Sequence, residues 1–428
     1  MNYKETIDWL YSFEKFGIKL GLDRITHICK KLGDPQKKYK IIHVGGTNGK
    51  GSVCRLLQSV LTLNGYKVGV YLSPHLQRFS ERFIIDNNEI SNKDVVKLVE
   101  KIKPIIEEMT KKDNTPTFFE IVTAIAFQYF KDKKIDYAVI EVGLGGRYDA
   151  TNIVDPLATV ITNVSLEHQN ILGKTIEELA YQKAGIIKDG VPLITAASNK
   201  ALEVIQKVAK EKKSSLMVID NNFWKKISGS VDWQEFLIKG SLKDYNLKTS
   251  LGGIFQGENI AVTIATIETL QMNGVYITDN SINDGIEKTT NPGRMEIAGF
   301  EPLILLDGAH NTAGINFLKT SLEKDFVYER LILVIGILSD KNIQEMLDII
   351  IPIADVIIVT KSHNDRACSP TKLKEMICKK EVIVKDEIAD AINYAKNIAK
   401  KNDLICITGS LFTVGEARDY LFKKPQKL

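Results

Sequence analysis

A glycine-rich turn between a strand and a helix constrains this chain more than any other feature. Ile41-Ile-His-Val44 is apolar and largely β-branched, and Gly45-Gly-Thr-Asn-Gly-Lys-Gly-Ser52 follows it. Val53, Leu56, Leu57, Val60 and Leu61 then recur at helical spacing until Asn64-Gly65. Strand, turn and amphipathic helix in that order open a parallel α/β unit. In such a turn backbone N–H groups converge on phosphate oxygens, and the helix N-terminus adds partial positive charge. Lys50 is placed to reach β- and γ-phosphates, and the Ser52 hydroxyl to face Mg²⁺. The segment departs twice from G-x-x-x-x-G-K-[ST]: Val44 replaces the first glycine, and Gly51 separates the lysine from the serine.

The same rhythm continues. Strands are expected over residues 68–72, 137–142, 158–162 and 192–195, with helices such as 118–130 and 175–184 between them. From about 212 to 253 the strand-like pieces are short and separated by polar residues, as in Ser215-Leu-Met-Val-Ile219 and Glu235-Phe-Leu-Ile238. That stretch reads as a small antiparallel or irregular annex, followed by a helix over 259–272. Asn291-Pro-Gly-Arg294 is a turn cluster with the character of a hinge. Beyond it, strands are expected at 303–306, 331–335, 356–360, 382–384 and 404–407. The expected architecture is α/β throughout. Residues 1–294 form a P-loop NTPase-like domain with a mostly parallel sheet and the annex, and residues 295–428 form a smaller Rossmann-like domain.

Composition narrows the setting. The 57 basic and 53 acidic residues leave a net charge of +4, too small an excess to indicate nucleic acid. Five scattered cysteines without a C-x-x-C pair read as free thiols of a reducing compartment. Met1-Asn-Tyr-Lys-Glu-Thr-Ile-Asp8 lacks the apolar run of a signal peptide, and no stretch approaches the ~20 apolar residues of a membrane span. A cytoplasmic protein with no membrane partner is expected.

Parallel strands deliver their C-terminal ends to one sheet edge, where ligands bind. Ser73, Glu141 and His168 each follow or close an expected strand. Magnesium prefers oxygen ligands, so the histidine is the unusual member. Taken singly, Glu141 equally suits an ion pair, and His168 a helix cap or a surface position. Gly143-Leu-Gly-Gly146 looks like half a dinucleotide fingerprint, but Tyr148 stands where the last glycine belongs. Lys183 reads by residue type as a surface lysine on its helix.

Together these segments resemble the folylpolyglutamate synthase/dihydrofolate synthase family, a branch of the Mur ligases. The matching stretches begin with Gly45 to Ser52, Ser73-Pro-His75, Thr117-Phe-Phe-Glu120 and Glu141-Val-Gly-Leu-Gly-Gly-Arg-Tyr-Asp-Ala-Thr-Asn152. They continue with His168, Lys183-Ala-Gly-Ile186, Asn291-Pro-Gly-Arg294, Asp307-Gly-Ala-His-Asn311 and Thr408-Gly-Ser410. They cross both expected domains, and the intrusive Gly51 is the family's own form. Glu167 stands before His168 where many relatives carry aspartate, and Leu20-Gly-Leu-Asp-Arg-Ile25 fits loosely.

The resemblance implies an ATP-dependent, ADP-forming ligase that joins L-glutamate to folate, and to dihydropteroate, through an acyl phosphate. A monofunctional folylpolyglutamate synthase is the alternative; a cell-wall Mur ligase or another P-loop ATPase ranks behind. The resemblance implies that ATP is held by Thr47, Asn48, Gly49, Lys50, Gly51 and Ser52, and by Asn259, Arg294, Asp307 and His310. It implies Mg²⁺ on Ser52, Ser73, Glu141 and His168, with a monovalent cation as a further candidate. Phe119, Glu120 and Asp149 match positions near the pterin. Lys50, Lys183 and His310 are the implied catalytic residues, Lys183 in carbamylated form. A monomer acting on small molecules is expected, with the preferred acceptor, its one-carbon form and the number of glutamates left open.

Overall fold

The structure, a computed structural model, describes residues 1–378 and 380–422. It contains two compact units. The first comprises Met1–Lys225, Phe236–Leu247 and Gly257–Thr289; the second comprises Lys226–Glu235, Lys248–Gln256 and the chain from Thr290 onward.

The first unit is built on an eight-stranded sheet. Its strands are β1 (Lys40–Gly45), β2 (Val68–Tyr71), β3 (Phe83–Ile85), β4 (Asn88–Glu89), β5 (Tyr137–Glu141), β6 (Ala158–Ile161), β7 (Leu193–Thr195) and β8 (Leu216–Val218). Their order is β4-β3-β2-β5-β1-β6-β7-β8. The six strands from β2 to β8 in that order run parallel, and β3 and β4 pair antiparallel at one end. The central strands are buried runs because helices cover both faces, which is why they read as continuous apolar segments.

One face is covered by helix Phe118–Lys133, which Thr117 and Glu120 start with a reciprocal capping box. Its Ile121, Ile125, Phe127 and Phe130 are fully buried against helices Tyr3–Tyr11, Asp23–Lys31 and Asn92–Lys111. Each such side chain contributes roughly 1.5–3 kcal/mol by leaving water. Helices Ile176–Ala184 and Asn199–Glu211 pack Ala180, Ala184, Ala201 and Ile205 against Ile161 and Leu193. Helix Asp279–Lys288 lies on helix Lys50–Leu63, where a Cβ on Gly285 would stand 2.6 Å from Val60 Cα.

One expectation is corrected. Leu216–Val218 pairs parallel with β7, so it is the outer strand of the main sheet and not part of an annex. The annex is a three-stranded sheet of β9 (Trp224–Gly229), β10 (Gln234–Lys239) and β11 (Asp244–Thr249), in the order β11-β10-β9. Alternating burial along β10 and β11 shows one face covered and one open.

The second unit carries six strands: β12 (Glu296–Phe300), β13 (Leu303–Asp307), β14 (Leu331–Ile335), β15 (Val356–Val359), β16 (Val382–Val384) and β17 (Leu404–Thr408). Their order is β12-β13-β17-β14-β15-β16, parallel except for β12, which pairs antiparallel with β13 through an irregularity between Ile297 and Gly299. Leu305, Leu318, Leu333, Met346 and Cys406 form its core. In register, Asp307 faces Thr408, and Thr408 faces Ile335. The C-terminal ends of β13, β17 and β14 therefore share one edge.

Candidate active site

β1 lies between β5 and β6, where the strand order reverses, so Gly45, Glu141 and Ile161 end side by side. The phosphate loop starts there. Gly46 has φ +134°, and a Cβ on it would overlap Thr162 Oγ1. Gly49 has φ +85° and is the N-cap of helix Lys50–Leu63; a Cβ there would overlap Asn259 Oδ1. Both positions need glycine, and Asn259 rests against the loop at Gly49. Lys50 Nζ donates to Gly46 O at 3.2 Å and to Thr47 O at 2.9 Å, so the ammonium is folded over its own loop. Ser52 is buried in the first helical turn.

The segment after β6, which sequence reading did not single out, fastens this loop. Thr47 N donates to Asn163 O at 2.8 Å and Asn48 N to Asn163 Oδ1 at 2.9 Å. Thr162 Oγ1 donates to Asn48 O at 2.6 Å, and Ser165 N to Thr47 Oγ1 at 3.0 Å.

Lys183 is 1% exposed, which corrects its reading as a surface lysine. It shares the buried stripe of its helix with Leu179, Ala180 and Ala184. Its Nζ donates to Gly46 O at 3.0 Å and to Glu167 Oε1 at 3.1 Å. Burial lowers the Lys183 pKa, with the Glu167 charge opposing the shift. For Glu167 burial works upward, but Lys183, Lys50 and His168 outweigh it and hold the carboxyl below its ordinary value. His168 itself has φ +48°, is exposed, and stands at the N-cap of the short helix Gln169–Leu172.

Glu141 closes β5, is 6% exposed, and accepts from Ser73 N at 2.9 Å. Its Oε1 would lie 4.0 Å from a Cβ on Gly51, which puts the carboxylate beside the loop. Ser73 Oγ is buried without a hydrogen-bond partner. Among the described residues, no group of three or more His, Cys, Asp or Glu is arranged to hold a metal. What converges here is one carboxylate and serine oxygens. That donor set suits a hard cation completed by phosphate and water, and the orphaned Ser73 hydroxyl is a ligand in want of a partner.

Phe119, Glu120 and Asp149 stand nearby in the fold. The Phe119 ring covers Gly143 so closely that a Cβ there would overlap it, and it lies 6.1 Å from the Tyr71 ring. Glu120 Oε2 accepts from Arg24 Nε at 3.0 Å and from Thr117 N at 2.7 Å, while its Oε1 is buried without a partner. Asp149 accepts from Leu144 N at 2.8 Å and from Thr151 N at 3.0 Å, and burial raises its pKa. The glycines of the half-fingerprint serve packing instead: a Cβ on Gly146 would sit 2.8 Å from Gln182 O. Sequence reading also missed Arg82. This buried guanidinium donates from Nε to His75 Nδ1 at 2.8 Å and lies 5.6 Å from the Phe118 ring.

In the second unit, Asp307 accepts from Met295 N and Ala309 N, both at 2.9 Å. Burial raises its pKa, and Arg294 opposes the shift. Arg294 Nη1 donates to Gly308 O at 3.2 Å, and His310 Nδ1 lies 2.8 Å from the same oxygen. Arg294, Asp307 and His310 are thus gathered around one glycine at the end of β13. Glu296 pairs with Arg418 at 3.0 Å and accepts from Gly293 N at 2.7 Å. Arg294, Glu296 and Arg418 border a cavity of about 350 Å³ that Asn291, Pro292 and Gly252 also line.

The Mur ligase middle domain matches residues 44–267, and the Mur ligase glutamate ligase domain matches residues 293–411. The chain is 36% identical to the dihydrofolate synthase/folylpolyglutamate synthase of Bacillus subtilis, over 98% of this chain and 99% of that protein. The crystal structure of folylpolyglutamate synthase from Thermotoga maritima superposes with a TM-score of 0.87 at 40% identity, covering 98% of this chain and 97% of that one. Mycobacterium tuberculosis folylpolyglutamate synthase complexed with ADP and AMPPCP gives 0.91 at 29% identity, covering 99% and 100%. The chain belongs to the dihydrofolate synthase/folylpolyglutamate synthase family of Mur ligases, ATP-dependent enzymes that form a carbon–nitrogen bond.

Proposed function

We propose that this chain activates the carboxylate of a folate with ATP and joins it to L-glutamate, and that it accepts dihydropteroate in the same way. The observation that carries the reading is the phosphate loop, with Lys50 lying over it and the buried Glu141–Ser73 pair beside it. A carboxylate is a poor electrophile. Transfer of the γ-phosphoryl group to it releases ADP and gives an acyl phosphate. The glutamate amine then attacks the acyl carbon, phosphate leaves, and the amine gives up a proton.

Lys50 donates to two loop carbonyls, so its ammonium can turn onto a phosphoryl group with little loss. The other residues of the ATP assignment are Thr47, Asn48, Gly49, Gly51, Ser52 and Asn259 in the first unit, with Arg294, Asp307 and His310 in the second. Ser52, Ser73, Glu141 and His168 would hold Mg²⁺, which when bound neutralises charge on the phosphates; a monovalent cation is a further candidate. Phe119, Glu120 and Asp149 belong to the pterin end. Burial of Lys183 favours its neutral amine, the form that adds to CO₂ with loss of a proton to give a carbamate. Residues 1–294 form the ATP-binding and acceptor domain, and 295–428 the glutamate-ligase domain, which also supplies Asp307 and His310 to the ATP assignment.

The protein works as a cytoplasmic monomer. In support, among the described residues no helix is long and apolar enough to cross a membrane, and the cysteines are free. The test is glutamate-dependent ADP release with dihydropteroate and with tetrahydrofolate as acceptors. Release with both is expected. Release with tetrahydrofolate alone makes the enzyme a monofunctional folylpolyglutamate synthase, and release with neither overturns the reading.

A further inference from the structure

The chemistry above makes no use of Asn163, yet this residue takes two consecutive N–H groups of the phosphate loop. Its carbonyl oxygen accepts from Thr47 N at 2.8 Å, and its side-chain Oδ1 accepts from Asn48 N at 2.9 Å. An amide whose oxygen is committed on one side presents its NH₂ on the other. There it meets the carboxyl of Glu258, in the first turn of helix Gln256–Met272. That carboxyl, pushed up to about 7 by burial, keeps an accepting oxygen in either protonation state. The next residue, Asn259, rests on Gly49. The same helical turn therefore reaches the loop at two points, directly at Gly49 and through Asn163 at Asn48.

Two consequences follow from this geometry. With the Thr47 and Asn48 N–H groups engaged by Asn163, backbone donation to a phosphate falls to the helical turn that starts at Gly49. The loop also lacks a rigid support of its own, because Gly46 and Gly49 are its pivots. We propose that Asn163 is a positioning residue for the phosphate loop, oriented by Glu258, and that this pair sets where the ATP phosphates sit. The proposal rests on the ATP-binding reading of the loop but not on the identity of the acceptor.

The test reverses the polarity of the pair. N163D keeps an oxygen for Asn48 N but turns a second oxygen toward the Glu258 carboxyl. In N163D/E258Q the introduced amide donates to that oxygen, restoring a matched contact. The dissociation constant for AMPPCP is measured at about pH 8, with KM values for ATP, L-glutamate and the acceptor, and with urea midpoints. N163D is expected to weaken AMPPCP and raise KM for ATP by roughly tenfold, with the other two KM values within about twofold. The double variant is expected to return within about threefold of the wild type. The proposal is overturned if N163D binds AMPPCP as the wild type does, or if the double variant binds no better than N163D. It is equally overturned if all three KM values move together in step with a lowered urea midpoint, the mark of a merely structural residue. Absence of glutamate-dependent ADP release in the wild type would refute the ligase reading alone, since AMPPCP binding reports on the loop without ligation.

Discussion

Glu258→Gln should make the protein less sensitive to alkaline pH. The Glu258 carboxyl is pushed from 4.5 to about 7, by burial first, with the Asn163 contact opposing. In the unfolded chain it ionises near its ordinary value, so between these limits the folded state holds a proton that the unfolded state has released. Stability therefore falls as pH rises from 4.5 to 7, and the whole loss is present above 7. At about 1.36 kcal/mol per pKa unit, the wild type loses about 2.5 kcal/mol between pH 5 and pH 8 through this group. Glutamine is nearly isosteric, accepts from Asn163 through its carbonyl, and does not titrate. The difference in unfolding free energy between variant and wild type should thus grow by about 2.5 kcal/mol in the variant's favour from pH 5 to pH 8. Urea unfolding of both proteins at the two pH values, followed by circular dichroism, measures it. An offset that stays the same at both pH values refutes the buried, proton-holding carboxyl.

Three further outcomes are expected. Lys50→Ala should lower kcat for ADP formation by about 10²–10³-fold with the urea midpoint almost unmoved, since among the described residues Nζ bonds only loop carbonyls; a near-normal rate would remove the loop from the mechanism. Gly46→Ala places a Cβ against Thr162 Oγ1 and 2.9 Å from Thr162 N at φ +134°, and should cost about 3 kcal/mol of stability along with AMPPCP binding, read by urea melts and titration. Lys183→Ala should be almost inactive, with partial recovery on adding a short-chain carboxylic acid; full activity without the acid would exclude a carbamate role.

The parallel sheets were legible because buried central strands are unbroken apolar runs and the helices between them carry apolar stripes. β8 was not, since a three-residue, half-buried edge strand differs little from a ribbon strand. The phosphate loop could be read because all its chemistry is contiguous. Thr162, Asn163 and Ser165 could not, because their partners lie more than a hundred positions away and a strand-end Asn or Thr carries no periodic signature. Lys183 was misjudged on residue type, although its spacing from Leu179, Ala180 and Ala184 already set it on the buried stripe.

Gly49 and Val60 receive their neighbours, Asn259 and Gly285, from about two hundred residues further along the chain. During synthesis the phosphate loop leaves the ribosome attached to a central strand, β1, whose partners β5 and β6 follow about a hundred residues later. Until then β1 lacks both of its strand neighbours and helix Lys50–Leu63 has only β1 and β2 of its sheet to pack on, which leaves apolar surface exposed, the condition in which nascent chains need chaperones. Such separations make for high contact order and slow closure. The phosphate loop and its helix gain the packing of Asn259 and helix Asp279–Lys288 only after those have been made, although the loop is among the first parts of the sheet to exist.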